Sequence, residues 1–104
     1  MKKVILKLYD ISLAEISDNG GELFVKDDSQ NVIEAQKTYP INMREYRPGL
    51  SGFVLPLEVF FNAFNRSDIK KEANILQTDS VFDKLFKVAG LDIEPINGFY
   101  IVQG

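Results

Sequence analysis

The spacing of apolar residues changes along this chain, and that change limits the folds open to it. From Val4 to Tyr9 the residues alternate. Val4, Leu6 and Leu8 fall on one side and Ile5, Lys7 and Tyr9 on the other, the period-two pattern of a strand with one wetter face. From Leu57 to Ala89 the spacing is helical, and the closing run Phe99-Tyr100-Ile101-Val102 holds aromatic and β-branched residues that suit a strand. Strands first, helices next and one strand last predict an α+β fold, a small mixed or antiparallel sheet with two to three helices packed on one face. A chain of 104 residues buries roughly two thirds of its unfolded surface, which predicts a single domain over 1–104.

Local signals divide the chain further. Ile11, Leu13 and Ile16 read as a second, slightly irregular strand after a tight turn at Asp10. Asp18-Asn19-Gly20-Gly21 tolerates positive φ and turns the chain into a third strand from Glu22 to Lys26. After the polar break Asp27-Asp28-Ser29-Gln30-Asn31, the segment Val32 to Gln36 fits a helical turn or a strand equally well. Tyr39 to Met43 reads as extended, because Pro40 biases Tyr39 away from the helical region. Arg44 to Phe53 has no periodicity and is punctuated by Pro48, Gly49 and Gly52, so it reads as a loop carrying Tyr46, Arg47 and Phe53.

Pro56 suits the first turn of a helix in which Leu57, Phe60, Phe61 and Phe64 share one face, a stripe that reads as core. Ser67 is placed to cap a short second helix containing Ile69, Ala73 and Leu76. Ser80-Val81-Phe82-Asp83 is a variant capping box opening a third helix from Val81 to Ala89, for which Gly90 and Leu91 predict a Schellman close. Pro95 and Asn97-Gly98 then turn the chain into the final strand, which is expected to rejoin the opening sheet.

Composition restricts the chemistry. With no Cys and no His, the chain cannot form a disulfide framework, a thiolate metal site, a Ser-His-Asp triad or a Cys-His pair. The formal charge of −3 and the scatter of Lys and Arg among acids argue against direct nucleic-acid binding; Lys2, Lys3 and Lys7 are the one local basic group near the start. Asp27-Asp28 with Ser29 and Asn31 lacks the Gly and the bidentate Glu of a calcium loop and reads as a solvated turn. Gly20-Gly21 has no following Lys-Ser/Thr and is not a phosphate loop. Lys7 and Asp10 cut short the apolar run after Lys2-Lys3, so no signal peptide, no membrane span and a cytoplasmic location are expected. No enzyme activity, cofactor or metal is expected. What composition leaves is a binding module using exposed aromatics and Arg, with Tyr46, Arg47, Phe53 and Arg66 as candidates.

The ordered segments resemble the small N-terminal subdomain of HipA-type toxin kinases. Leu13-Ala14-Glu15-Ile16 approximates the Val-Gly-x-Leu-like step of that family, with Ala for Gly, and Gly21-Glu22-Leu23-Phe24-Val25 its glycine turn and short strand. Pro40-Ile41-Asn42-Met43 stands for a Pro-Leu-Ser-Leu-like element and Phe60-Phe61 for a Phe-Phe pair. Phe82-Asp83-Lys84-Leu85 and Gly90-Leu91-Asp92 match a Phe-Asp-x-Leu helix ending near Gly-x-Asp, one residue longer than usual. The Leu-Leu-Pro run of the family is replaced by Ala63-Phe64-Asn65, and Asp27 stands where an aromatic is typical.

This resemblance extends to the free-standing HipS-like antitoxins of HipBST systems. It implies a non-catalytic protein that binds and inhibits a HipT-like serine/threonine toxin kinase, with a HipB-like DNA-binding protein joining through the complex. Docking is expected through the segment Tyr46 to Phe53 or the helix end Phe64-Asn65-Arg66, where exposed aromatics and Arg are read. Two other readings are an inhibitory binding protein of unrelated ancestry and a His-free carboxylate enzyme. The enzyme would show a concave pocket with at least two acids of strongly raised pKa.

Overall fold

The computed structural model describes residues 2–20, 22–46, 62, 65–92 and 95–104. Their elements are β1 (Val4–Leu8), β2 (Ile11–Asn19), β3 (Glu22–Asp27), α1 (Ser29–Thr38), a 3-10 turn (Asn42–Glu45), α2 (Ser67–Ala73), α3 (Val81–Ala89) and β4 (Phe99–Gln103). The strands form one sheet in the order β3-β2-β1-β4, antiparallel at every pairing. This is the α+β arrangement expected, with the final strand paired to the first.

Alternation decides which side of the sheet is covered. Val4, Leu6 and Leu8 of β1, Ile16 of β2, and Phe99 and Ile101 of β4 are buried in one cluster with Val32 and Ala35 of α1 and Phe82, Leu85 and Val88 of α3. Each fully buried side chain of this size contributes about 1.5–3 kcal/mol relative to exposure. The opposite side carries Lys3, Ile5, Glu15, Phe24 and Lys26, half-buried or exposed.

The irregularity read in β2 is a β-bulge. Leu6 pairs with Ala14 and Lys7 with Ser12, which leaves Leu13 as the extra residue. The bulge seats α1. The Asp28 N–H donates to the Leu13 carbonyl at 2.8 Å, and the Asn31 side-chain amide donates to the Ser12 carbonyl at 2.9 Å. Asp28 in turn caps the helix, its carboxylate accepting from the Asn31 N–H at 3.1 Å. The segment Val32 to Gln36, open between two readings, is therefore helical, and the acidic turn before it is a cap and anchor.

Three local expectations are corrected. Tyr39 is non-helical (φ −129°), as a residue before proline should be, but the chain then tightens into the 3-10 turn rather than running extended to Met43. Helix α2 starts at Ser67 with Arg66 in the capping position and no side-chain cap. It stops at Ala73, so Leu76 lies outside it and is exposed.

The Schellman close belongs to Asn74, not Gly90. Asn74 is left-handed (φ 55°), and the next residue, Ile75, donates its N–H to the Lys70 carbonyl at 3.0 Å. Gly90 is right-handed (φ −79°), and α3 ends in two i→i−3 bonds, Gly90 to Lys87 and Leu91 to Val88. Its start is as read: the Ser80 hydroxyl accepts from the Asp83 N–H at 3.1 Å. Apart from Asn62, the aromatic helix expected from Pro56 to Phe64 lies outside the described residues, as does the loop from Arg47 to Phe53.

Candidate functional site

Two tight turns and the exit of α1 meet at one end of the sheet. Tyr9-Asp10 links β1 to β2 between the paired residues Leu8 and Ile11, and Asn97-Gly98 links Ile96 to Phe99. Because Leu8 pairs with Phe99, both turns sit side by side, and the Tyr9 N–H donates to the Gly98 carbonyl at 3.0 Å. Tyr39 arrives from α1 with its ring centroid 4.7 Å from that of Tyr9. The Asn42 side-chain amide donates to the Asn97 carbonyl at 2.6 Å, which holds Ile41 beside the second turn. The Tyr100 hydroxyl donates to the Tyr9 carbonyl at 2.6 Å.

The backbone here is held in conformations that side chains rarely choose. Tyr9 has φ 53°, Asn97 54° and Gly98 84°. For Tyr9, first of two turn residues, that sign is the one glycine normally supplies, and a large residue there costs about 1–3 kcal/mol. The surroundings fix it. The Tyr9 ring packs against Tyr39 and close to Gly98, where an added Cβ would come within 2.7 Å of the ring.

Apolar side chains stand open here beside the exposed Asp10 and Asn97: Tyr9 is 47% exposed, Ile41 80% and Ile96 37%. Rigid tyrosine beside exposed aliphatics is the composition of a protein-contact surface.

The residues singled out in the sequence are differently placed. Tyr46, expected on an exposed loop, is buried at 7% exposure. It follows the 3-10 turn into the core, and its hydroxyl donates to the Asp27 carboxylate. Burial first, and then that hydrogen bond, push its phenol well above the ordinary tyrosine range. Asn65 and Arg66 are adjacent and exposed, with Arg66 paired to Asp68 at 2.9 Å. Arg47, Phe53 and Phe64 lie outside the described residues. Tyr9, Tyr39, Ile41 and Ile96 were not singled out. Their turns were legible, but their meeting depends on pairing strands from opposite ends of the chain.

The other candidate chemistry is engaged locally. Lys3 pairs with Glu15 at 2.8 Å, while Lys2 and Lys7 lie over the rings of Phe86 and Tyr100, so the basic group is shared among separate neighbours. A concavity of about 270 Å³ is lined by Ser12, Glu15, Lys26, Asp27 and Asp28. Its Glu15 carboxyl is held below the usual range by the hydrogen bond and charge of Lys3, the opposite of what a proton-donating acid needs. Among the described residues no cluster of three or more His, Cys, Asp or Glu could hold a metal, and no helix is long and apolar enough to cross a membrane. No family model, curated protein or solved structure matches the chain.

Proposed function

We propose that this chain is a non-catalytic antitoxin of the HipS type, which binds a HipT-like serine/threonine toxin kinase in the cytoplasm and restrains it. Two things support the reading. The ordered resemblance to the HipA N-terminal subdomain supplies the partner, and the fixed tyrosine end of the sheet supplies a surface suited to binding one. The single observation that carries the binding role is Tyr9, an exposed ring at a positive φ of 53°, held by close contact with Tyr39 and Gly98.

A ring held in place before contact loses little freedom on docking, which favours affinity. Phosphoryl transfer depends on positioning, so a rigid body seated on the kinase N-lobe acts by holding the phosphate-binding loop or closing the cleft. The helix end at Asn65 and Arg66 is a second contact region in the same complex, and a HipB-like protein joins through the kinase.

The test is co-expression with any kinase encoded beside this gene, read as co-purification and relief of growth arrest. Replacing Tyr9 or Ile41 by Ala should weaken the complex about tenfold or more, as loss of a contact anchor does, with the fold intact. Inhibition of a different class of protein at the same surface would assign the chain to an unrelated inhibitor. Turnover of a small molecule by the purified chain alone would overturn the reading.

A further inference from the structure

We infer that two copies of this chain pair through the outer edge of β4, joining their sheets into one. The two edges of the sheet differ in chemistry. On one edge, β3 reads Glu-Leu-Phe-Val-Lys-Asp, carrying the charges that natural edge strands use to discourage pairing. On the other, β4 reads Phe-Tyr-Ile-Val-Gln, with no charge in the strand and strong strand formers from Phe99 to Val102.

The backbone pattern says which groups are on offer. The Tyr9 N–H bonds the Gly98 carbonyl, and the Gly104 N–H bonds the Lys3 carbonyl. By antiparallel alternation, Gly98, Tyr100, Val102 and Gly104 face β1, while Phe99, Ile101 and Gln103 face outward. Phe99 exchanges both of its bonds with Ile96. Among the described residues, nothing bonds the outward N–H and C=O groups of Ile101 and Gln103.

That offer is self-complementary. A two-fold axis at Val102 sets Ile101 opposite Gln103 of the second copy and Gln103 opposite its Ile101, so the outward groups of both strands satisfy one another without remainder. On the open face Val102 meets its own counterpart, and the Tyr100 ring lies across from Gly104, a large side chain against none. An uncharged strand is what such symmetry requires, since any charge at the axis would face itself. Because the strands run antiparallel, the two tyrosine ends point away from each other and stay free, so the pair would present the proposed contact surface twice.

Sedimentation velocity from low to high micromolar protein tests this, together with amide exchange. The expected result is a rise in mass towards the dimer, with exchange at the Ile101 and Gln103 amides slowing as concentration rises and that at Tyr100 and Val102 unchanged. Val102→Lys should abolish dimer formation by setting like charges together, whereas Phe24→Lys, at the β3 edge, should not. Gln103→Pro, which removes one outward N–H and leaves the β1 ladder whole, should weaken it as well, with circular dichroism confirming the fold of each variant. A wild-type chain that stays monomeric throughout, or a dimer indifferent to Val102→Lys and Gln103→Pro, would overturn the inference. So would protection of the two amides only when a different protein is added.

Discussion

The core beneath α3 and the tyrosine end of the sheet are held together by different physics. Under α3, Phe82, Leu85 and Val88 are almost wholly buried against β1 and β4, and their order comes from excluded water and close packing. At the tyrosine end the rings remain half-exposed, and order comes from backbone dihedrals, hydrogen bonds and the lack of a side chain at Gly98. The first arrangement contributes most of the stability. The second contributes shape at the surface, which is what recognition needs. Substitutions should therefore separate the two regions.

The largest effect belongs to the core. Phe82→Ala should cost about 3–5 kcal/mol and Leu85→Ala about 2–5 kcal/mol, read by urea denaturation, with binding lost only as the fold is lost. Next comes Gly98→Ala. Its new Cβ would meet the Tyr9 ring at 2.7 Å and sit at φ 84°, so a loss of about 1–3 kcal/mol is expected, accompanied by a change in the Tyr9 ring signals. A cost confined to the core variants, with Gly98→Ala neutral in both readouts, would show that the tyrosine end is not fixed as described.

Tyr46→Phe sharpens the contrast from the buried side. It removes the hydroxyl that donates to Asp27 and should cost about 1.5–3 kcal/mol, the range for a hydrogen bond to a charged group, without touching partner affinity. Tyr9→Gly should do the reverse. It relieves the strain at φ 53° while losing the ring's contacts, so stability should change little and partner binding should fall. If Tyr46→Phe weakened the complex and Tyr9→Gly did not, the loop containing Tyr46 would regain its place as the contact surface.

What could be read in the sequence follows from how local each determinant is. The strand β1 announces itself because alternation is a property of five or six neighbouring residues, β3 because a glycine turn precedes it, β4 because its aromatic and β-branched residues are contiguous, and the Ser80 cap because its partner is three residues away. The helix α1 was ambiguous because its start is fixed by Leu13 and Ser12 of a bulged strand. The burial of Tyr46 is illegible for a related reason: its hydroxyl acceptor, Asp27, lies 19 residues away, and nothing in the loop's composition points to it. The tyrosine end needed the longest reach, since the Tyr100 bond to Tyr9 spans 91 residues. Asn74 carries its own signal, an Asn followed by Ile after a short helix, but glycine is the commoner residue at a left-handed helix end, so Gly90 is the stronger local signal.

The smallest expected effect lies between α2 and α3, far down the scale from the core. There the Asp79 carboxylate accepts from the Lys87 ammonium at 2.6 Å and from the Leu76 N–H at 2.9 Å, and Lys87 also donates to the Asn74 carbonyl. One side chain thus ties the left-handed end of α2 to the last turn of α3. The Lys87 bond first, then that of Leu76, hold the Asp79 carboxyl below the usual aspartate range. A carboxyl whose folded pKa lies below its unfolded value of about 3.9 contributes stability that is present at neutral pH and is lost as pH falls through the folded value. Acid should therefore lower the protection of the Leu76 amide, taken relative to its intrinsic exchange rate at each pH, and loosen this connection while the sheet persists. Asp79→Asn should show the lower protection already at neutral pH and no further step on acidification. An unchanged acid response in Asp79→Asn would place the sensitivity elsewhere and leave the α2–α3 connection held by Asn74 and the packing of Ile75 alone.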